Sequence, residues 1–209
     1  IVVGDYFVEV LWEEISNSGP GAFPPFDNSA ILGNSSFVTM EEDAQQFPDV
    51  AYNSKDNNYL VVWEHAVFDD LYEIRGTIVS GDGVAGNNSV LLLSDEYSLE
   101  APEIVYNGKA NEYLLVARRN NDNMVLGQRI SAGGQPVGDP VEIGISNGPT
   151  FFDPAARARV VSVAYNSMED RYIVAFGEPM SVQIIMPDLS IDLQSAQLGE
   201  GSNPSIAYS

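Results

Sequence analysis

Four copies of a tyrosine-bearing segment, an apolar pentad after each of the first three, and a repeat spacing that closes on itself predict an all-β chain, a four-bladed β-propeller of four-stranded antiparallel blades. The copies are Pro48-Asp49-Val50-Ala51-Tyr52-Asn53, Pro102-Glu103-Ile104-Val105-Tyr106-Asn107, Val161-Ser162-Val163-Ala164-Tyr165-Asn166 and Pro204-Ser205-Ile206-Ala207-Tyr208-Ser209. The pentads are Tyr59-Leu60-Val61-Val62-Trp63, Tyr113-Leu114-Leu115-Val116-Ala117 and Tyr172-Ile173-Val174-Ala175-Phe176, each reached through a short polar stretch. β-Branched and aromatic runs bounded by turn formers read as strand, hairpin turn, strand.

The anchor tyrosines 52, 106, 165 and 208 stand 54, 59 and 43 residues apart, and the step from Tyr208 round to Tyr52 on a closed ring is 53. The fourth copy lacks a second strand, which Tyr6-Phe7-Val8-Glu9-Val10-Leu11-Trp12 would supply, so that the C-terminal strand joins the N-terminal blade and the ring closes. Closure removes an exposed edge strand. The blades then run over 203–209 plus 1–46, 47–100, 101–159 and 160–202, one domain in all. The alternative is a fragment of a larger ring. The two outer strands of the first full repeat are expected at 71–80 and 89–93, and those of the second at 124–131 and 141–145. The chain begins at Ile1 without Met, as expected of a processed or excised piece.

The string PxVAYN, a polar turn, YLVVW and later Gly127-Gln128-Arg129-Ile130-Ser131-Ala132-Gly133-Gly134 resemble the propeller-type repeats of large secreted bacterial surface proteins. The second repeat carries this resemblance best; in the third, the GQR segment has become Ser181-Val182-Gln183-Ile184-Ile185. The resemblance implies a blade and an extracellular or cell-surface setting. Likeness to the hemopexin fold is in blade number only.

Charge narrows the function. Thirty acidic residues against nine basic ones give a net charge of −21, which repels phosphate backbones and anionic lipid, so neither nucleic acid nor membrane is an expected partner. With no Cys and one His, thiol chemistry and multi-histidine metal centres are excluded. All nine bases lie between Lys55 and Arg171, whereas residues 1–46 hold eight acids and no base. Such a field attracts cations, although solubility in a saline medium explains it as well.

Strand alternation divides each inner strand into two faces. Val50, Ile104, Val163 and Ile206 and the four tyrosines are expected to face the sheets. Ala51, Val105, Ala164 and Ala207 would then line the axis, between a rim of Asn53, Asn107, Asn166 and Ser209 and another of Asp49, Glu103, Ser162 and Ser205. The latter set of oxygens suits Ca²⁺ on the propeller axis, or is merely solvated. The Asn/Asp clusters at 53–58, 120–123 and 166–170 read as hairpin turns.

The least regular segments, 13–27 and 144–159, open on the same side. Phe23, Phe26, Phe151 and Phe152 could stack on a sugar or contact a protein partner, with Arg157 and Arg159 beside them, or could fold back over the sheet ends. His65, in Trp63-Glu64-His65-Ala66, is expected as a solvated loop residue, since no G-x-S-x-G elbow accompanies it. Absence of a catalytic motif favours a non-catalytic binding or structural module of a secreted or surface protein, with other domains, extracellular proteins or glycans as partners. The alternative is a carbohydrate-active enzyme, glycosidase or lyase, or a lectin, using acidic and aromatic residues of the loop face.

Overall fold

The computed structural model describes residues 2–4, 7–10, 36–39, 44–68, 71–86, 88–146, 160–201 and 204–208. Fifteen strands occur among them and no helix. Three antiparallel sheets of four strands follow one another in sequence. The first holds β4 (Gln45–Asn53), β5 (Asn58–Phe68), β6 (Leu71–Ser80) and β7 (Val90–Leu93); the second β8 (Leu99–Asn107), β9 (Glu112–Arg119), β10 (Met124–Ser131) and β11 (Pro136–Ile145); the third β12 (Val161–Asn166), β13 (Arg171–Phe176), β14 (Met180–Ile185) and β15 (Ile191–Gly199). A three-stranded sheet precedes them, in the order β1 (Val2–Gly4), β2 (Phe7–Val10), β3 (Ser36–Phe37).

The repeated Tyr-Asn motif explains the first hairpin of each full sheet. The Oδ1 atoms of Asn53, Asn107 and Asn166 each accept two backbone N–H groups of the turn, from Lys55 and Asp56, Lys109 and Ala110, Met168 and Glu169. Each turn ends in a left-handed residue, Asn57 (φ 50°), Asn111 (φ 57°) or Asp170 (φ 58°). Asn and Asp tolerate that conformation better than other side chains that carry a Cβ. The preceding tyrosine then donates its hydroxyl to the same residue: Tyr52 to Asn57 at 3.0 Å, Tyr106 to Asn111 at 2.7 Å, Tyr165 to Asp170 at 2.6 Å. Its ring packs on its cross-strand partner, with centroids 4.9 Å apart for Tyr52–Tyr59, 5.3 Å for Tyr106–Tyr113 and 5.1 Å for Tyr165–Tyr172. Aromatic cross-strand pairs set register as well as adding contact area.

The pentads form the core because both of their faces are covered. Leu60 and Val62 pack with Ile104, Tyr113 and Leu115 between the first and second sheets. Leu114 and Val116 turn the other way, to Val163, Val174 and Phe176 of the third. Val61 and Trp63 meet Val38 and Val79 on the opposite face of the first sheet. Each such fully buried aliphatic side chain contributes roughly 1.5–3 kcal/mol.

Two expectations are corrected here. Ala51 and Asn53 do not line an open axis: Ala51 belongs to the core between the first two sheets, and Asn53 is fully buried, donating to Asn111 of the second sheet at 3.2 Å. Asn107 likewise donates to Tyr172 of the third sheet at 2.9 Å. The inner strands lie so close that β8 meets the first sheet with one face, through Ile104 and Tyr106, and the third sheet with the other, through Val105 and Asn107. Tyr106 and Tyr165 pack between sheets as expected, whereas Val50 and Tyr52 are exposed.

The second correction concerns the ends. Residues 204–208 form no strand and pair with none of β1–β3. The partner that β2 was expected to take from the C-terminus is instead β1, joined to it by a two-residue connection with Gly4 opposite Phe7. Closing so short a loop costs far less chain entropy than recruiting a strand from the other end of the chain.

Candidate functional site

The side chains with chemical potential gather where β4 and β8 begin and β5 and β9 end. Both β4 and β8 carry a bulge there. Pairing of β4 with β5 slips between Gln46 and Asp49, and pairing of β8 with β9 slips between Glu100 and Glu103. Within each slip sits a left-handed residue followed by proline: Phe47 (φ 50°) before Pro48, Ala101 (φ 51°) before Pro102. Neither Phe nor Ala favours positive φ, and each such residue costs on the order of 1–2 kcal/mol. Immediately after the two bulges come Asp49 and Glu103. In the third sheet, which has Ser162 at this position, the described pairs of β12 with β13 run in continuous register from Val161.

A buried polar network lies under the bulges. Glu64 is 1% exposed; its Oε1 accepts the Ala101 N–H at 2.7 Å and its Oε2 accepts Gln46 Nε2–H at 3.1 Å. Glu100 and Arg118 occupy the equivalent register positions of the second sheet, and the Arg118 Nε–H donates to Glu100 Oε1 at 2.7 Å. Burial pushes the Glu100 carboxyl above its ordinary value, with Arg118 pulling in the opposite direction. His65 lies in this region too, buried at 6% exposure within β5 and opposite Gln45. It is therefore not the solvated loop residue expected, because β5 runs on past the pentad to Phe68.

Farther out, Arg119 donates to Asp95, Asp122 and Glu142 at 3.2, 2.7 and 3.1 Å. The bond to Asp122 above all holds that guanidinium in its charged form, and the same bond lowers the Asp122 carboxyl. Phe68 is exposed at this end.

Of the four oxygen donors expected to hold Ca²⁺, Asp49 accepts the Ile104 N–H at 2.8 Å and Ser162 accepts the Ile206 N–H at 3.2 Å. Ser205 is exposed and Glu103 half-buried. Two of the four thus strap one inner strand to the next, and among the described residues no group of three or more His, Asp or Glu is arranged to hold a metal. The ligand-facing residues expected in the loops, Phe23, Phe26, Phe151, Phe152, Arg157 and Arg159, lie outside the described residues. Sequence reasoning missed Glu64, Glu100 and Arg118. For Glu64 and Arg118 the signal was the recurrence of a charged residue directly after two pentads, Trp63-Glu64 and Ala117-Arg118.

No family model matches the chain, and no curated protein does. Among solved structures, a GH43 β-1,3-galactosidase with galactodeoxynojirimycin is similar over 77% of this chain, with 9% identity and a TM-score of 0.52; the chain spans 59% of that protein's length. An exo-β-1,3-galactanase from Phanerochaete chrysosporium, with β-1,3-galactotriose, is similar over 77% of this chain and 36% of its own, with 13% identity and a TM-score of 0.49. The first likeness shows the fold, a β-propeller. The preference for a non-catalytic module is corrected on this finding, a solved structure with this fold being a β-1,3-galactosidase.

Proposed function

We propose that the chain is a carbohydrate-active propeller that hydrolyses glycosidic bonds at its bulged end, with Asp49 and Glu103 as the working carboxylates. The observation that carries this reading is the pair of strained bulges. Each places a left-handed, non-glycine residue and a proline directly before one of these two acids, whereas the described pairs of the sheet with serine at that position stay in register from Val161. Bulges of this kind re-aim a side chain beside a reaction centre, and local strain concentrates at such centres. A propeller shared with a β-1,3-galactosidase supports the substrate class, glycans with β-1,3-linked galactose being the first to try.

Glycoside hydrolysis asks for two carboxyl groups flanking the scissile bond. One gives its proton to the leaving oxygen as the C–O bond breaks, and the other activates water or attacks the anomeric carbon. Asp49 and Glu103 come from neighbouring inner strands, and the Ile104 amide that Asp49 accepts belongs to the residue after Glu103. The two acids are thus brought to one level of adjacent blades.

The reading includes a four-bladed ring. The Ser162–Ile206 strap repeats the Asp49–Ile104 strap at matching positions of the repeat, which supports residues 204–208 as the inner segment of a fourth blade. It also includes a secreted or surface setting, in keeping with a net charge of −21.

The test is turnover of β-1,3-galactan oligosaccharides and a wider polysaccharide panel by the wild type, Asp49→Asn and Glu103→Gln. Wild-type cleavage that falls a hundredfold or more in each variant is expected. Cleavage that survives both substitutions, or no cleavage by the wild type, sinks the reading.

A further inference from the structure

We infer that Glu64 is a positioning residue that braces both bulges at once and so sets the aim of Asp49 and Glu103; the inference rests on the glycosidase reading for its catalytic consequence. One carboxylate oxygen of Glu64 accepts the backbone N–H of Ala101, the left-handed residue of the second bulge. The other accepts the side chain of Gln46, the residue immediately before the left-handed Phe47 of the first. Glu64 is 1% exposed and lies in the middle of β5, so the brace stands on a rigid strand and not on a loop.

The segment carrying Glu103 is held at three points. Its start is fixed by the ion pair of Glu100 with Arg118, the bulge by Ala101 N–H to Glu64, and its far side by Ile104 N–H to Asp49. Hydrogen bonds to a charged acceptor are about twice as strong as neutral ones, which suits them to hold a backbone in a conformation that costs energy. Without the Glu64 bond, the Ala101 N–H would be left without this acceptor, and nothing in the local sequence favours positive φ for alanine. The bulge would relax, and the carboxylate two residues on would move with it. Misplacing a reacting group by about 1 Å can cost a hundredfold in rate.

Three variants separate positioning from mere stability. Glu64→Ala removes both arms. Glu64→Gln keeps an acceptor for Ala101, and Gln46 can turn its amide to receive the new N–H, so both arms survive without the charge. Glu64→Asp shortens the reach by one methylene and serves if Glu64→Ala does not fold.

Two readouts are needed: steady-state kinetics on the glycan that the wild type cleaves, and amide hydrogen exchange resolved at Ala101 and at Val105. In Glu64→Ala, kcat is expected to fall about tenfold to a hundredfold with KM within about twofold. Exchange at Ala101 should quicken at least tenfold while Val105 stays protected. Glu64→Gln should restore both to within about threefold. Unchanged Ala101 protection, or loosening of Ala101 and Val105 together, overturns the inference. If the wild type cleaves no glycan, the glycosidase reading falls by itself. The exchange pattern then still decides whether Glu64 braces the bulges: selective loosening at Ala101 supports it and unchanged protection overturns it.

Discussion

The Asp49 carboxylate accepts the backbone N–H of Ile104 at 2.8 Å, tying the inner strand of the first sheet to that of the second; Ser162 does the same for Ile206 at 3.2 Å with a neutral hydroxyl. The two straps occupy one position of the repeat and differ in charge. A hydrogen bond to a charged group contributes about 1.5–3 kcal/mol and a neutral one about 1 kcal/mol. Asp49→Ala should therefore lower the free energy of unfolding by more than Ser162→Ala does, and Asp49→Asn, which keeps an acceptor, should fall between wild type and Asp49→Ala. Urea denaturation of the three variants checks the order; equal losses for Asp49→Ala and Ser162→Ala would contradict it.

The hairpin between β8 and β9 makes a second prediction. Asn111 sits at φ 57° and its Oδ1 accepts from both Tyr106 OH and Asn53 Nδ2. Asn111→Gly keeps the backbone conformation and loses only the side-chain bonds. Asn111→Ala loses those bonds and adds a left-handed penalty of about 1–2 kcal/mol. The alanine variant should be the less stable of the two, a reversal of the usual order of Gly and Ala. A glycine variant less stable than the alanine variant in urea would show that the turn relaxes out of the left-handed region.

The repeat was readable because its parts are local. Tyr52, Tyr106 and Tyr165 stand five residues before the left-handed Asn57, Asn111 and Asp170, so turn, register and aromatic pair follow from one short string. Outer strands were also placed closely: β6 and β10 run over the expected residues, and β11 begins five residues early at Pro136. The assignment of faces failed for a different reason. Alternation says that Ala51 and Tyr52 point opposite ways, but not that the next sheet lies near enough to cover Ala51 and Asn53. For the candidate site the limit was long-range pairing. Glu64 meets Ala101, 37 residues on, and no local pattern announces such a partner. Asp69-Asp70 is the turn signal that could have extended β5 past Trp63 and placed His65 inside a strand.

The buried pair of Glu100 and Arg118 predicts an asymmetry. Desolvation raises the Glu100 carboxyl above its ordinary value of 4.5 even with Arg118 beside it. The folded protein thus binds that proton more tightly than the unfolded chain does. Stability from this group is fully present below the unfolded value and declines as pH rises through the raised folded value. Arg118→Met leaves a buried carboxylate without its cation, at a cost of about 3–5 kcal/mol near neutral pH. Glu100→Gln, which removes a charge that burial already opposes and keeps an acceptor for Arg118, should cost less. Urea titrations from pH 4 upward should show the Arg118→Met deficit growing with pH, while Glu100→Gln flattens the profile. A deficit independent of pH would mean that Glu100 does not titrate in this window.

Gly76 and Gly127 hold corresponding places in β6 and β10, yet they should tolerate a methyl group unequally. A Cβ on Gly76 would lie 2.7 Å from the carbonyl oxygen of Val61 and 2.7 Å from Leu92 Cδ1, whereas on Gly127 the tight contact is with Ile143 Cδ1 at 2.8 Å. A backbone oxygen in the β5–β6 ladder cannot step aside without breaking pairing; the end of an isoleucine can rotate. Gly76→Ala is therefore expected to cost about 1–3 kcal/mol, the usual range for overpacking, and Gly127→Ala to fall at or below its lower end. Thermal and urea midpoints of the two variants measure the difference. Equal losses would show that the Val61 strand shifts as readily as the Ile143 side chain, and so that the first sheet is less firmly held than the fully buried Leu60 to Trp63 run implies.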